Sequence, residues 1–205
     1  MKRWRICIDP GHGGNASGSL GHSGTREADV NLAVAKELVI QLELLSISGY
    51  LTRHCDSTLS LSDRVAIGEG SDGFISIHCN SFHDYRIHGV ETLFPSPGGK
   101  SKSLANYLQQ SIVGGHRDRG IKMSPSKSFK DTLYVLRMNS VPAALLELEF
   151  ISNPTWEKWL VSEETHKNIA YNLAKGVSSW VRSLGGELPE PKKARRKRKS
   201  GLKVS

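Results

Sequence analysis

The sequence is short of several things, and each shortage narrows what the chain can be. There are three cysteines among 205 residues, Cys7, Cys55 and Cys79. Their odd number and wide spacing exclude a disulfide framework and a CxxC metal knuckle. They read instead as free thiols, with Cys7 and Cys79 buried, in a protein made in a reducing compartment. No apolar run is long enough to cross a bilayer. The basic start Met1-Lys2-Arg3-Trp4-Arg5 leads into a strand-like segment and not into an apolar leader core, so no secretory signal is expected. No internal repeat is present. Acids are missing from residues 191–205, which hold eight of the 28 lysines and arginines; the rest of the chain carries 20 residues of each sign. The formal charge of +8 therefore belongs to a tail and not to a folded face. Neither a recognition helix nor a basic surface interleaved with aromatics is evident, so specific nucleic-acid binding is not expected.

What is present alternates between two periodicities. Residues 5–9 read as a first strand, followed by a Gly/Ser-rich loop over 10–26. From Glu27 a helix is predicted, because Val30, Val34, Leu38 and Leu42 repeat at i, i+4. Tyr50–Arg53 reads as a short strand, and Ser60 as the cap of a helix ending near Gly68. Strands are predicted at Gly73–His78, Gly89–Phe94, Leu133–Leu136 and Ala143–Ile151. Residues 101–113 read as a helix, 114–132 as an exposed loop, and Asn153-Pro154 as the turn into a short helix with Trp156 and Trp159. A last helix spans about Glu163–Leu184. Strands alternating with helices predict an α/β fold: one domain with a mostly parallel twisted sheet flanked by helices on both faces. The domain is placed at 1–186 and a basic, disordered tail at 187–205, where seven of the eight residues Lys192–Lys199 are basic.

In parallel sheets, sites gather beyond the carboxyl ends of strands. Four residues hold such positions: His12 after the first strand, Glu27 opening the first helix, His78 ending the third strand, and Glu147 within the apolar run Ala144–Phe150. Two imidazoles and a carboxylate suit a catalytic zinc that keeps water in its fourth position. Each has a plainer reading. His12 is also an ordinary polar turn residue, Glu27 a favourable charge at a helix start, and His78 a hydrogen-bonded core histidine. Glu147 resists a plain reading, because a carboxylate in so apolar a strand is costly unless it is paired or bound.

An ordered set of segments adds to this. It comprises Ile8-Asp9-Pro10-Gly11-His12-Gly13-Gly14, Arg26-Glu27-Ala28-Asp29-Val30-Asn31-Leu32, Leu51-Thr52-Arg53, Ser76-Ile77-His78-Cys79-Asn80-Ser81-Phe82 and Gly89-Val90-Glu91-Thr92. Arg119-Gly120-Ile121-Lys122, Tyr134-Val135-Leu136-Arg137 and Pro142–Asn153 follow. Together they resemble the zinc-dependent N-acetylmuramoyl-L-alanine amidases of the Amidase_3 type over roughly residues 5–184. The resemblance implies Zn2+ held by His12, Glu27 and His78, Glu147 as catalytic acid/base, and peptidoglycan as substrate, cut between N-acetylmuramic acid and L-alanine. Asn80 and Arg64 match recurring family positions. Asn80 is open to a substrate-orienting or a turn role, and Arg64 reads as a structural hydrogen-bond or ion-pair partner. The chain departs from the pattern at Glu149, where the family has glycine, and at Cys79, where it commonly has alanine. In a regular strand Glu149 shares a face with Glu147, and is open to crowding the site, sharing a proton or binding substrate. His22, His83, His88 and His116 read as solvent- or substrate-facing.

Two other functions stay open at this point. One is a zinc peptidase acting on a different amide of the wall. The other is a binding protein that uses the tail. The setting most consistent with the resemblance is an endolysin-like lysis enzyme: synthesis in the cytoplasm, holin-type release, action at the wall as a monomer. The Lys192–Lys199 run would then hold anionic wall polymers or lipopolysaccharide.

Overall fold

A computed structural model of the chain describes residues 2–124 and 133–189. In chain order the elements are β1 (Arg5–Pro10), α1 (Glu27–Leu44), β2 (Ser48–Leu51), α2 (Leu61–Gly68), β3 (Gly73–Asn80) and β4 (Val90–Pro95), then α3 (Lys100–Ile112), β5 (Asp118–Ser124), α4 (Tyr134–Arg137), β6 (Ala143–Phe150), α5 (Pro154–Leu160) and α6 (Glu163–Ser183). The six strands form one sheet in the order β2-β1-β3-β6-β4-β5. The first four in that order run parallel; β4 is antiparallel to β6, and β5 is parallel to β4.

The sheet is covered on both faces because its central strands are apolar on both faces. On one side Ile6, Ile8, Ile75, Ile77 and Leu146 pack against α1, α3 and α6 through Val34, Leu38, Leu104, Leu108, Leu173 and Trp180. On the other, Cys7, Phe74, Leu93 and Leu145 meet Val65 of α2 and Val135 and Leu136 of α4. Helix starts follow their local chemistry. The Ser60 hydroxyl accepts from the Asp63 amide to cap α2, and Asn153 accepts from the Thr155 and Trp156 amides ahead of Pro154 in α5. Leu188, just beyond Gly186, is still buried against the larger cluster. The Lys192–Lys199 run lies outside the described residues. No helix among the described residues is long and apolar enough to cross a membrane.

Two local expectations are corrected. Leu133–Leu136, read as a strand, belongs to the turn of helix α4, whose Leu136 and Arg137 amides bond back to Leu133 O. Val135 and Leu136 are consecutive and both buried. A helical turn seats both against the sheet, whereas a strand would point them to opposite sides. Residues 118–124, read as loop, form β5; of the rest of that predicted loop, 114–117 is turn and irregular backbone and 125–132 lies outside the described residues. The segment Asp118-Arg119-Gly120-Ile121-Lys122-Met123-Ser124 has weak strand propensity, but it is an edge strand, where charge is tolerated and useful.

Candidate metal centre and active site

The carboxyl ends of β1, β3 and β6 converge on one point, and the chain between them is held by buried side-chain chemistry. Asp9, 1% exposed, accepts from Thr52 Oγ1 (2.7 Å), Ser76 Oγ (2.8 Å) and Arg64 Nη1 (2.8 Å). Arg64 also donates to Pro10 O and, through Nη2, to His12 O at 2.6 Å. Arg53 donates to the carbonyls of Pro10, Gly11, Ala28 and Cys55. Two buried guanidiniums thus fix the backbone of residues 10–12 and the start of α1. The clamp holds His12 at φ 62°, left-handed backbone that a non-glycine residue seldom adopts. Glycine is required at position 11 for a different reason: a Cβ there would overlap the His78 imidazole. The far side of the 10–26 loop is tied down by Glu157 of α5, whose carboxylate accepts from the Ser23 and Thr25 amides.

Within this frame Glu27 lies between two imidazoles. Its Oε1 is 3.3 Å from His12 Nε2 and 3.0 Å from His78 Nδ1, and it also accepts from the Cys79 amide; Oε2 accepts from the Ser19 amide. Burial pushes the Glu27 carboxyl up, but the two imidazoles outweigh it and hold the group well below the usual carboxylate range. One ligand atom from each of His12, Glu27 and His78 fits within 4.8 Å of the others, the arrangement that a single divalent ion draws together. Cys79 lies behind this set with its thiol toward Asn31, and burial together with the Glu27 charge pushes it far above the thiol range.

Glu147 completes the site. Strand register sets it opposite His78 on one side and Glu91 on the other. The residue is 9% exposed, and its buried Oε2 has no hydrogen-bond partner among the described residues. Burial first, then the charges of Glu27 and Glu91, push its pKa well above the usual range, with Lys122 acting the other way. A buried carboxyl with a raised pKa and an oxygen that has no partner among the described residues, beside a His-Glu-His donor set, can take up and return a proton next to a metal-held water. The residues present therefore fit a zinc-type ion.

The other expected residues are placed as follows. Arg64 is a clamp on Asp9 and the His12 backbone, remote from the open side of the site. Asn80 donates to Glu91 Oε1 at 3.0 Å and caps its own turn through the Ser81 amide. Glu149 is fully buried with partners of its own: Oε2 accepts from the Gly89 amide (2.6 Å), and Oε1 faces His116 Nδ1 (3.0 Å). The β3–β6 register slips between His78/Glu147 and Asn80/Phe150, so the regular alternation that would set Glu149 beside Glu147 is broken. His116, read as solvent- or substrate-facing, is mostly buried between Trp156 and Trp159, and His88 stacks on Trp156. His22 lies edge-on to Tyr85, and His83 against Phe82. Arg53, Asp9 and Asn31 were not singled out from the sequence. The signal for Asp9 was available, since a carboxylate ending an apolar strand raises the question asked of Glu147.

Comparison with known proteins identifies the family. The family model for N-acetylmuramoyl-L-alanine amidase (Amidase_3) matches residues 6–179. The amidase AmiC of Neisseria meningitidis is 29% identical over 217 residues, covering 86% of this chain and 52% of the relative. AmiA of Escherichia coli is 29% identical over 230 residues, covering 92% and 80%. This chain thus spans about half of the Neisseria protein and most of the Escherichia one. The catalytic domain of the amidase CwlV from Bacillus (Paenibacillus) polymyxa var. colistinus matches with TM-score 0.80 and 31% identity, covering 87% of this chain and 98% of that one. Fold, site geometry and an aligned region that takes in every residue of the metal centre lead to one conclusion: the chain belongs to the N-acetylmuramoyl-L-alanine amidase family.

Proposed function

We propose that the protein hydrolyses the amide joining N-acetylmuramic acid to L-alanine in peptidoglycan, with His12, Glu27 and His78 holding Zn2+ and Glu147 moving the protons. The observation that carries this reading is the buried Glu147 Oε2, without a hydrogen-bond partner among the described residues, on a residue in register with His78. Bound zinc would supply Lewis acidity, lowering the pKa of a ligated water toward ~7 and polarising the scissile carbonyl. Glu147 accepts the proton of the attacking water and returns it to the departing L-alanine amine. Its burial keeps the proton-bearing form accessible, and the charge of Glu27 would be taken up by the bound cation. Arg53 and Arg64 hold the residue 10–12 backbone so that His12 meets the other ligands without reorganisation.

Digestion of purified peptidoglycan tests the reading. Mass spectrometry is expected to find released peptides with new L-alanine amino ends while the glycan stays intact, a release lost with a chelator and restored by zinc. New ends inside the peptide would replace it with a zinc peptidase.

We place the action at the bacterial wall and assign the Lys192–Lys199 run to holding anionic wall polymers by charge. Removing residues 190–205 is expected to cut sedimentation with wall fragments severalfold at low salt, and little at high salt where screening is strong. Hydrolysis of a soluble muropeptide should stay within about twofold, since the site lies wholly in the folded domain. Equal loss of both would overturn this division.

A further inference from the structure

A cavity of about 470 Å³ has a wall that includes Asn80, Phe82, Glu91, Arg119, Lys122 and Phe150, and Glu91 is the cross-strand partner of Glu147. The charge arrangement of the cavity comes from an irregularity in the edge strand. Val90 pairs with Asp118 but Thr92 with Ile121, so three steps of β5 match two of β4, with Gly120 at φ 73° in the extra step. In an unbroken strand, residues three apart face opposite sides. Here the bulge brings Arg119 and Lys122 to the same side, and both donate to Glu91 Oε2, at 2.7 and 2.5 Å. Asn80 takes the other oxygen. Glu91 is 1% exposed, while the Arg119 and Lys122 side chains are each about 25% exposed. Two cations thus share one carboxylate, and their open sides face the cavity with one positive charge left over. The Arg119 guanidinium also lies over the Phe150 ring, 4.9 Å from its centroid, which fixes its plane.

We propose that this cavity is a carboxylate subsite for the stem peptide and that it sets the direction in which substrate lies across the site. The inference rests on the amidase reading above. Of the two sides of the scissile amide, only the peptide carries carboxylates; the amino sugar side is an uncharged acetamido glycan. Neighbouring strands are ~4.8 Å apart, and the path from Glu147 on β6 to Glu91 on β4 and on to β5 crosses one and then two spacings. The cationic heads, drawn back to Glu91, therefore lie roughly 5–10 Å from Glu147. An extended peptide advances ~3.3–3.6 Å per residue, so the residue after L-alanine brings its free carboxylate into this range. The peptide then runs from Glu147 over β4 toward β5, and the glycan leaves on the side of His12 and the residue 10–26 loop.

The test uses the zinc-loaded full chain and two disaccharide tripeptides that differ only in a carboxylate or a carboxamide on the residue after L-alanine. Wild type is expected to favour the carboxylate about tenfold in kcat/KM, chiefly through KM. In Lys122→Gln, Glu91 keeps Arg119 and Asn80, so the fold is retained while the surplus charge is gone; the preference should fall to within twofold. Lys122→Arg should restore it, a result that damage to packing would not give. Equal cleavage of both substrates by wild type, or an undiminished preference in Lys122→Gln, overturns the subsite and leaves the amidase reading standing. Failure of wild type to release an L-alanine amine from either substrate overturns both.

Discussion

Glu147→Gln is expected to lower kcat by about 10²–10⁴ while zinc content, measured by metal analysis, stays at that of the wild type. Among the described residues the side chain has no hydrogen-bond partner at Oε2, and it is not part of the His12–Glu27–His78 set. Its replacement therefore removes proton transfer without removing a ligand. KM should change little, because glutamine has the shape of the glutamate it replaces. Retained turnover would remove Glu147 from the chemistry. Loss of zinc together with turnover would make it a ligand-positioning residue instead.

The same variant has a thermodynamic signature. Burial raises the Glu147 pKa in the folded protein, mainly by desolvation and then by Glu27 and Glu91. A carboxyl whose folded pKa lies above its unfolded value of ~4.3 keeps a proton in the native state that the unfolded chain has released. Its contribution therefore opposes stability progressively as pH rises from about 4.3 toward the folded pKa, and is constant above it. In metal-free protein, Glu147→Gln should gain stability relative to wild type across that window. Glu27 behaves in the opposite sense, because its folded pKa is depressed. It stabilises above the unfolded carboxylate pKa and loses that contribution as pH falls. Denaturant unfolding of the two proteins from pH 4 to 8 separates them, since the Glu27 contribution is common to both. A flat difference would mean that Glu147 is not desolvated.

Residues whose periodicity follows burial were legible from the sequence. The i, i+4 face of α1, the apolar β3 and β6, the cap at Ser60 and the Asn153-Pro154 turn into α5 all follow from local pattern, and the structure reproduces them. The candidate ligands were legible as strand-end residues, although their convergence was not, because nothing local says that His12, Glu27 and His78 meet. Family resemblance supplied that step. Where pattern failed, tertiary pairing had overridden propensity. β5 is strand only because β4 offers it an edge, and α4 is helix only because two adjacent side chains must be buried together. The surroundings of Glu149 were not legible for a related reason: alternation assumes a regular ladder, and the register slip after Glu147 is a property of two strands at once. Its companions His88 and His116 come from separate loops, so no window of sequence contains the cluster they form with Trp156.

The second large effect is expected far from any reacting atom. Asp9→Asn should lower stability by about 3–5 kcal/mol, because it leaves the Arg64 guanidinium buried without its counter-charge. For a domain of this size that corresponds to a fall in Tm of about 10 °C. Arg64 is 4% exposed and has no solvent route to compensate. The cost does not stop at stability. Arg64 donates to His12 O and holds that residue in left-handed backbone, so loosening it should also weaken zinc affinity, read by competition with a chromogenic chelator. Arg64→Met alone leaves Asp9 buried with only the Thr52 and Ser76 hydroxyls, and should cost a similar amount. The double variant Asp9→Asn/Arg64→Met carries no unpaired charge and should recover much of the Tm, since a buried pair contributes little net stability beyond satisfying itself. Zinc affinity should stay low in the double variant, because nothing then holds the His12 carbonyl. Recovery of Tm without recovery of zinc binding separates the two duties of the pair: Asp9 neutralises a buried charge, and Arg64 transmits that anchorage to the strained turn carrying the first ligand. Recovery of both would show that His12 keeps its conformation unaided and that the Asp9–Arg64 pair serves packing alone.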